Sequence, residues 1–91
     1  MNLRFPRTVT NDEKYRPAMS VETESEAREY LEACIQHTMS LGLRRAEAER
    51  IERQNIAFAA YYGFRESDET IARLGKLFHI EKEFTRLQQL K

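Results

Sequence analysis

The chain has 91 residues, of which 41% are hydrophobic, and it carries 15 Lys and Arg against 15 Asp and Glu. A chain of this length forms a single small domain with one modest core, because chains divide into domains only at well over twice this length. The zero net charge excludes an overall field that would attract nucleic acid or an anionic membrane.

The composition also bounds the fold class and the compartment. A charged fraction of 33% with only three Gly and two Pro favours an all-α fold, which we expect to be a three- or four-helix bundle. No apolar run approaches the ~18 residues of a membrane span, and the first residues lack the apolar core of a signal peptide. The single cysteine excludes an intrachain disulfide and fits a reducing cytoplasm.

The N-terminal residues 1–19 show no sustained periodicity and contain both prolines, Pro6 and Pro17. We therefore predict an extended N-terminal arm over residues 1–19 and a helical domain over residues 20–91. The aromatic residues of the arm are expected to attach it to the helices.

The first predicted helix begins near Thr23, because Thr23 and Glu26 have the spacing of a capping box, and it ends at Gly42. Cys34 lies near the middle of its apolar face, and His37 lies at the edge of that face.

The second predicted helix covers residues 44–62 and is closed by Gly63 as a left-handed cap. Its first half has Arg and Glu at four-residue spacing, which predicts a solvated face of ion pairs. Residues 56–64 carry no charge and are apolar all round, which predicts a buried segment. Asn55 lies on the core-facing stripe, so we expect a buried amide that either bonds another helix or anchors a binding groove.

The third helical stretch begins with Ser67 as its N-cap, and its apolar phase shifts by roughly 120° near residues 78–80. Either the chain breaks there and restarts at Glu81, or one continuous helix leaves the core. In the second case Ile80, Phe84 and Leu87 form an exposed stripe.

Reactive chemistry has little support in the sequence. Cys34, His37 and His79 are too few for a zinc site without a fourth partner, and neither histidine has Glu three residues before it. A glycine-rich phosphate loop and a catalytic triad are also missing from the sequence. We therefore expect no enzyme activity, no metal, no cofactor and no small-molecule substrate.

The leading functional hypothesis is a non-catalytic protein-protein interaction or assembly module. The exposed stripe and the apolar segment predict a homodimer with Phe84 near the centre of its contact, because exposed apolar patches mark interfaces. The alternative is that the stripe folds back over the same chain. The candidate interface residues are Tyr61, Phe64, Ile80, Phe84 and Leu87.

A small helix-turn-helix regulator that binds nucleic acid is the competing hypothesis, with residues 69–74 and 81–90 as its two helices. The turn lacks a clear glycine at its bend, and the second helix sets Lys82 and Arg86 against Glu81 and Glu83. Such a helix would approach phosphates poorly, so nucleic acid is the less favoured partner.

Three stretches, residues 49–55, 61–63 and 69–74, resemble short uncharacterised proteins of bacteria and their phages. They read Glu-Arg-Ile-Glu-Arg-Gln-Asn, Tyr-Tyr-Gly and Glu-Thr-Ile-Ala-Arg-Leu. The resemblance implies a small bacterial or phage protein and carries neither an activity nor a site residue.

Overall fold

The computed structural model describes residues 4–90, which form an all-α fold, as the sequence predicts. Five α-helices follow one another in the chain: α1 (Asn11–Tyr15), α2 (Glu24–Ser40), α3 (Arg45–Phe58), α4 (Asp68–Phe78) and α5 (Glu81–Gln89). A 3₁₀-helix (Arg16–Ser20) follows α1, and a π-helix (Ala59–Gly63) continues α3. Within residues 4–90 no helix is both long and apolar enough to cross a membrane.

The N-terminal segment is not the extended arm that the sequence predicts, because residues 11–20 are helical. The Thr10 side chain accepts from the backbone N–H of Glu13, and the Glu13 carboxylate accepts from the backbone N–H of Thr10. This capping box satisfies two N–H groups at the start of α1 and allows so short a helix to form. Pro17 lies in the first turn of the 3₁₀-helix, where a missing N–H costs little. Residues 1–3 of the predicted arm lie outside the described residues.

Aromatic contacts attach this segment to the helices, as expected. The Phe5 ring meets the Tyr30 ring edge to face with centroids 6.0 Å apart. Tyr15 is buried, and the Tyr30 hydroxyl donates to the backbone carbonyl of Lys14. The guanidinium of Arg73 in α4 donates to the carbonyls of Met19 and Val21, which secures the end of the 3₁₀-helix.

The ends of α2 lie where the sequence places them. Thr23 is its N-cap and forms a capping box with Glu26, and Gly42 follows its last turn with φ +109°. From there the chain turns into α3, which packs against α2. Glu32 of α2 and Arg45 of α3 form an exposed ion pair, and the hydrogen bonds from the Arg45 guanidinium lower the pKa of Glu32 to about 2.

The end of α3 differs from the prediction of a left-handed cap at Gly63. The helix continues through Gly63 as a π-helix, in which the N–H of Phe64 donates to the carbonyl of Ala59 at 2.7 Å. Arg65 then adopts the left-handed conformation with φ +50°, and the N–H of Glu66 donates to the carbonyl of Ala60 at 2.9 Å. This six-to-one bond is the usual helix termination, here with an arginine where glycine is preferred.

The chain breaks between α4 and α5, as the first of the two alternatives states. His79 is left-handed with φ +57°, and α5 begins two residues later. Gly75 permits the close approach of α5, because a Cβ at this position would lie 3.0 Å from Cγ of Glu81. Ile80 and Phe84 thereby enter the core and are 1% and 5% exposed. The exposed stripe is therefore wrong for these two residues.

Two substitutions at left-handed positions should change stability in opposite directions. We expect Gly42→Ala to lower the free energy of unfolding by about 1–2 kcal/mol, because a Cβ is strained at φ +109°. Arg65→Gly should raise it by up to about 1 kcal/mol by relieving the same strain. Urea unfolding measures both changes, and a destabilised Arg65→Gly variant would contradict the account of this cap.

Candidate functional site

A charged side chain lies at the centre of the bundle. Glu52 of α3 is 1% exposed, and each of its carboxylate oxygens has a partner from another helix. Oε1 accepts from the Tyr15 hydroxyl at 2.9 Å, and Oε2 accepts from the Lys14 ammonium at 3.1 Å. The Thr38 hydroxyl also donates to Oε2. We call Glu52, Lys14, Tyr15, Thr38 and His37 the Glu52 cluster.

The Lys14 ammonium directs its three N–H groups at three acceptors of the cluster. Besides Glu52, it meets Oγ1 of Thr38 at 3.2 Å and Nδ1 of His37 at 2.7 Å. Because Nδ1 accepts from an ammonium, the imidazole proton lies on Nε2, which donates to the carbonyl of Arg7 at 3.2 Å. A buried ion pair is tolerated only when its remaining donors and acceptors are satisfied, and this cluster meets that requirement.

Asn55 is exposed, so the prediction of a buried amide is wrong. Its Nδ2 still donates to the Tyr15 hydroxyl at 2.9 Å and links α3 to the N-terminal segment. The buried polar residue is instead Glu52, which sequence reasoning assigned to the solvated ion-pair face. A usable signal was its position midway between Ala48 and Ile56, because all three lie four residues apart on one helical face and the outer two are buried.

The groups beside this cluster are held in their neutral forms. Cys34 is fully buried, as the sequence predicts, and burial raises the pKa of its thiol to about 12. Burial also raises the pKa of the Tyr15 and Tyr30 hydroxyls above their usual range. A protonated, enclosed thiol is a poor nucleophile, so the arrangement suits structure better than catalysis. Among the described residues, no group of three or more His, Cys, Asp and Glu is placed to hold a metal ion.

An exposed aromatic surface lies at the end of α3. The Phe58 ring is 56% exposed and lies 5.0 Å from the ring of Tyr62, which is also exposed. The Tyr62 hydroxyl donates to the carbonyl of Leu87 in α5, and Leu90 follows one turn later with 70% of its surface exposed. We call Phe58, Tyr62, Leu87 and Leu90 the aromatic face. The prediction that residues 56–64 are buried all round is therefore wrong on this side.

A groove opens next to the aromatic face, between the π-helix and the start of α4. We call it the tyrosine groove, and its lining includes Tyr61, Tyr62, Arg65, Glu66, Asp68 and Gln88. The Tyr61 and Tyr62 rings stand almost perpendicular, with centroids 4.9 Å apart.

The five residues predicted to form an interface separate into two groups. Ile80 and Phe84 belong to the core of one chain, so they are not available for an interface. Tyr61, Phe64 and Leu87 are half-buried and pack at the margin of that core. The Arg16 guanidinium lies 4.5 Å above the Phe64 ring, which leaves Tyr61 and Leu87 beside the aromatic face.

No family model, curated protein or solved structure matches this chain. The resemblance to short bacterial and phage proteins therefore stays a prediction.

The Glu52 cluster can be tested with one chemical change at two positions. Glu52→Gln should lower the free energy of unfolding by about 3–5 kcal/mol, because it leaves the Lys14 ammonium buried without a counter-charge. Glu32→Gln is the matched control, since it removes an exposed ion pair between α2 and α3 and should cost only a small part of that. Urea unfolding measures both, and equal costs would contradict a buried charge at Glu52.

The cluster variants should also be non-additive. Lys14→Met combined with Glu52→Gln should cost less than the sum of the single changes, because the double variant leaves no unpaired charge in the core. Strict additivity in this double-mutant cycle would mean that the two side chains do not interact.

Alkaline pH should destabilise the fold. In the unfolded chain the thiol and the tyrosine hydroxyls lose their protons from about pH 9 upward, whereas burial keeps Cys34, Tyr15 and Tyr30 protonated in the folded chain. The unfolded state then binds fewer protons, so stability falls with rising pH, by up to about 1.4 kcal/mol per pH unit for each group. Thermal melts from pH 7 to 11 measure this, and Cys34→Ala should flatten the first part of the decline.

Proposed function

We propose that this protein is a non-catalytic interaction module that binds a protein partner through the aromatic face. The carrying observation is the exposure of Phe58 in a turn whose smaller neighbours, Ala57 and Ala60, are buried. The core thus takes the small side chains of this turn, and the largest apolar one remains at the surface. A contiguous exposed apolar patch is typical of a binding surface.

The composition of the aromatic face suits a binding surface. Burying a large apolar side chain stabilises a complex by about 2 kcal/mol, so Phe58 and Leu90 together would supply a useful part of a moderate affinity. Tyr62 adds a ring with a polar hydroxyl, a combination that is frequent among residues that dominate interface energies.

A second copy of the chain is one such partner, and we keep the homodimer as a proposal with a different contact. The aromatic face would replace Phe84 at its centre, because Phe84 lies in the core. Sedimentation at high micromolar concentration measures the mass, and a monomer would restrict the proposal to other proteins. A cytoplasmic location is part of the same proposal, and the buried free thiol of Cys34 supports it.

Nucleic-acid binding by α4 and α5 is the competing proposal, and one observation favours it. The two helices are joined by only two residues, and left-handed His79 takes the place of the glycine expected at such a bend. Against it, Arg86 is paired with Glu83 on the helix that would meet the phosphates. Binding to duplex DNA in a salt series separates the two proposals, because phosphate contacts make affinity fall steeply with salt.

A pair of matched variants tests the aromatic face. Phe58→Ser and Leu41→Ser each remove an exposed apolar side chain, but only Phe58 belongs to the aromatic face. In capture from native lysate, Phe58→Ser should lose partners that the unmodified protein and Leu41→Ser both retain. Circular dichroism confirms that both variants are folded. Identical partners for all three proteins would overturn the proposed surface.

A further inference from the structure

We propose that the tyrosine groove binds a lysine or arginine side chain of the partner protein. The proposal rests on the proposed function and names the chemistry of the partner beside the aromatic face. Its carrying observation is that two tyrosine rings and two carboxylates line one groove.

The rings provide the first attraction for a cation. Tyr61 and Tyr62 both line the groove, with their planes 89° apart and their centroids 4.9 Å apart. The face of an aromatic ring is electronegative, and a cation within about 6 Å of its centroid is attracted to it. This attraction does not exist for a carboxylate or a phosphate, so the rings favour one sign of charge.

The carboxylates provide the second attraction. Glu66 and Asp68 line the same groove, and in the part of the chain that the structure describes neither carboxylate is in an ion pair. Their positions are fixed by the backbone, because the N–H of Glu66 closes the π-helix and Asp68 lies in the first turn of α4. A cation that enters the groove therefore meets negative charge without the ordering of a loop.

Arg65 also lines the groove and supplies a diagnostic sign. Its guanidinium forms no ion pair among the residues described, yet its positive charge repels an incoming cation. Arg65→Asn removes that charge, and asparagine tolerates the left-handed backbone of this position. If the groove binds cations, this variant must strengthen binding, whereas a phosphate-binding or purely structural groove predicts weaker or unchanged binding.

The groove lies next to the surface that is proposed to meet a protein, and Tyr62 belongs to both. A partner that covers Phe58 would therefore bring its own side chains over the groove. This continuity favours a protein side chain over a free amine or a nucleic acid. A nucleic acid would bring phosphates against Glu66 and Asp68, which like-charge repulsion opposes.

The experiment uses the whole chain and a short peptide of three lysines separated by alanines, acetylated and amidated at its ends. Backbone amide resonances of the isotopically labelled protein are followed during the titration at low salt. We expect saturable shifts at residues 61, 62 and 66 that weaken with added salt. A matched peptide with glutamine in place of lysine should cause none. An absence of groove shifts with the lysine peptide, or equal shifts with both peptides, overturns the proposal.

The variants test the groove one attraction at a time. Tyr61→Leu and Glu66→Gln should each weaken peptide binding by roughly two- to fivefold, and Arg65→Asn should strengthen it by a similar factor. Glu47→Gln is the matched control, because it removes an exposed negative charge from the other end of α3 and should leave the affinity unchanged. Equal weakening by Glu47→Gln would reduce the binding to overall charge and overturn the proposal.

The two proposals fail in different ways. If partner capture depends on Phe58 but the lysine peptide leaves the groove resonances in place, the groove proposal fails and the proposed function stands. If the peptide binds the groove but Phe58→Ser retains every partner, the aromatic face fails and the cation site stands. Groove shifts with a DNA oligonucleotide in place of the peptide would overturn the cation site.

Discussion

The fold depends on a charge that is buried at the point where three helices meet. Glu52 belongs to α3, its cationic partner Lys14 to α1, and its hydroxyl partner Thr38 to α2. A carboxylate out of water is costly, and the cost is offset only while all of its partners stay in place. The cluster therefore couples the N-terminal segment to the two longest helices, and this segment cannot leave without exposing a charge in the core.

The same coupling explains why the N-terminal segment is ordered at all. Helix α1 has five residues, far fewer than an isolated helix needs in water. Its last two residues, Lys14 and Tyr15, are both buried and both bond Glu52, so tertiary contacts compensate for what the short helix cannot supply. Polar bonding and apolar burial act on the same turn of chain.

The local signals of the sequence predicted most of the fold, and the long-range pairings were beyond them. The caps at Thr23 and Ser67 and the break before Glu81 follow from spacing and phase, which neighbouring residues determine. Glu52 was missed because the ion-pair ladder of α3 explains a glutamate equally well at the surface, and its partner Lys14 is 38 residues away. Of the candidate site, Tyr61 and Leu87 were foreseen. The aromatic face was not, because a uniformly apolar segment does not indicate which side stays exposed.

The π-helix after α3 has a consequence for how this surface tolerates changes in chain length. A π-turn contains one residue more than an α-helix would use over the same hydrogen-bonded span. Deletion of a single residue between Ala59 and Gly63 would restore α-helical bonding and rotate all that follows by roughly 100° about the helix axis. Tyr62 would then leave Phe58, and Arg65 would no longer fall at the left-handed turn. The length of this turn, independently of which residues fill it, thus sets the angular register between the bundle and its outward-facing rings.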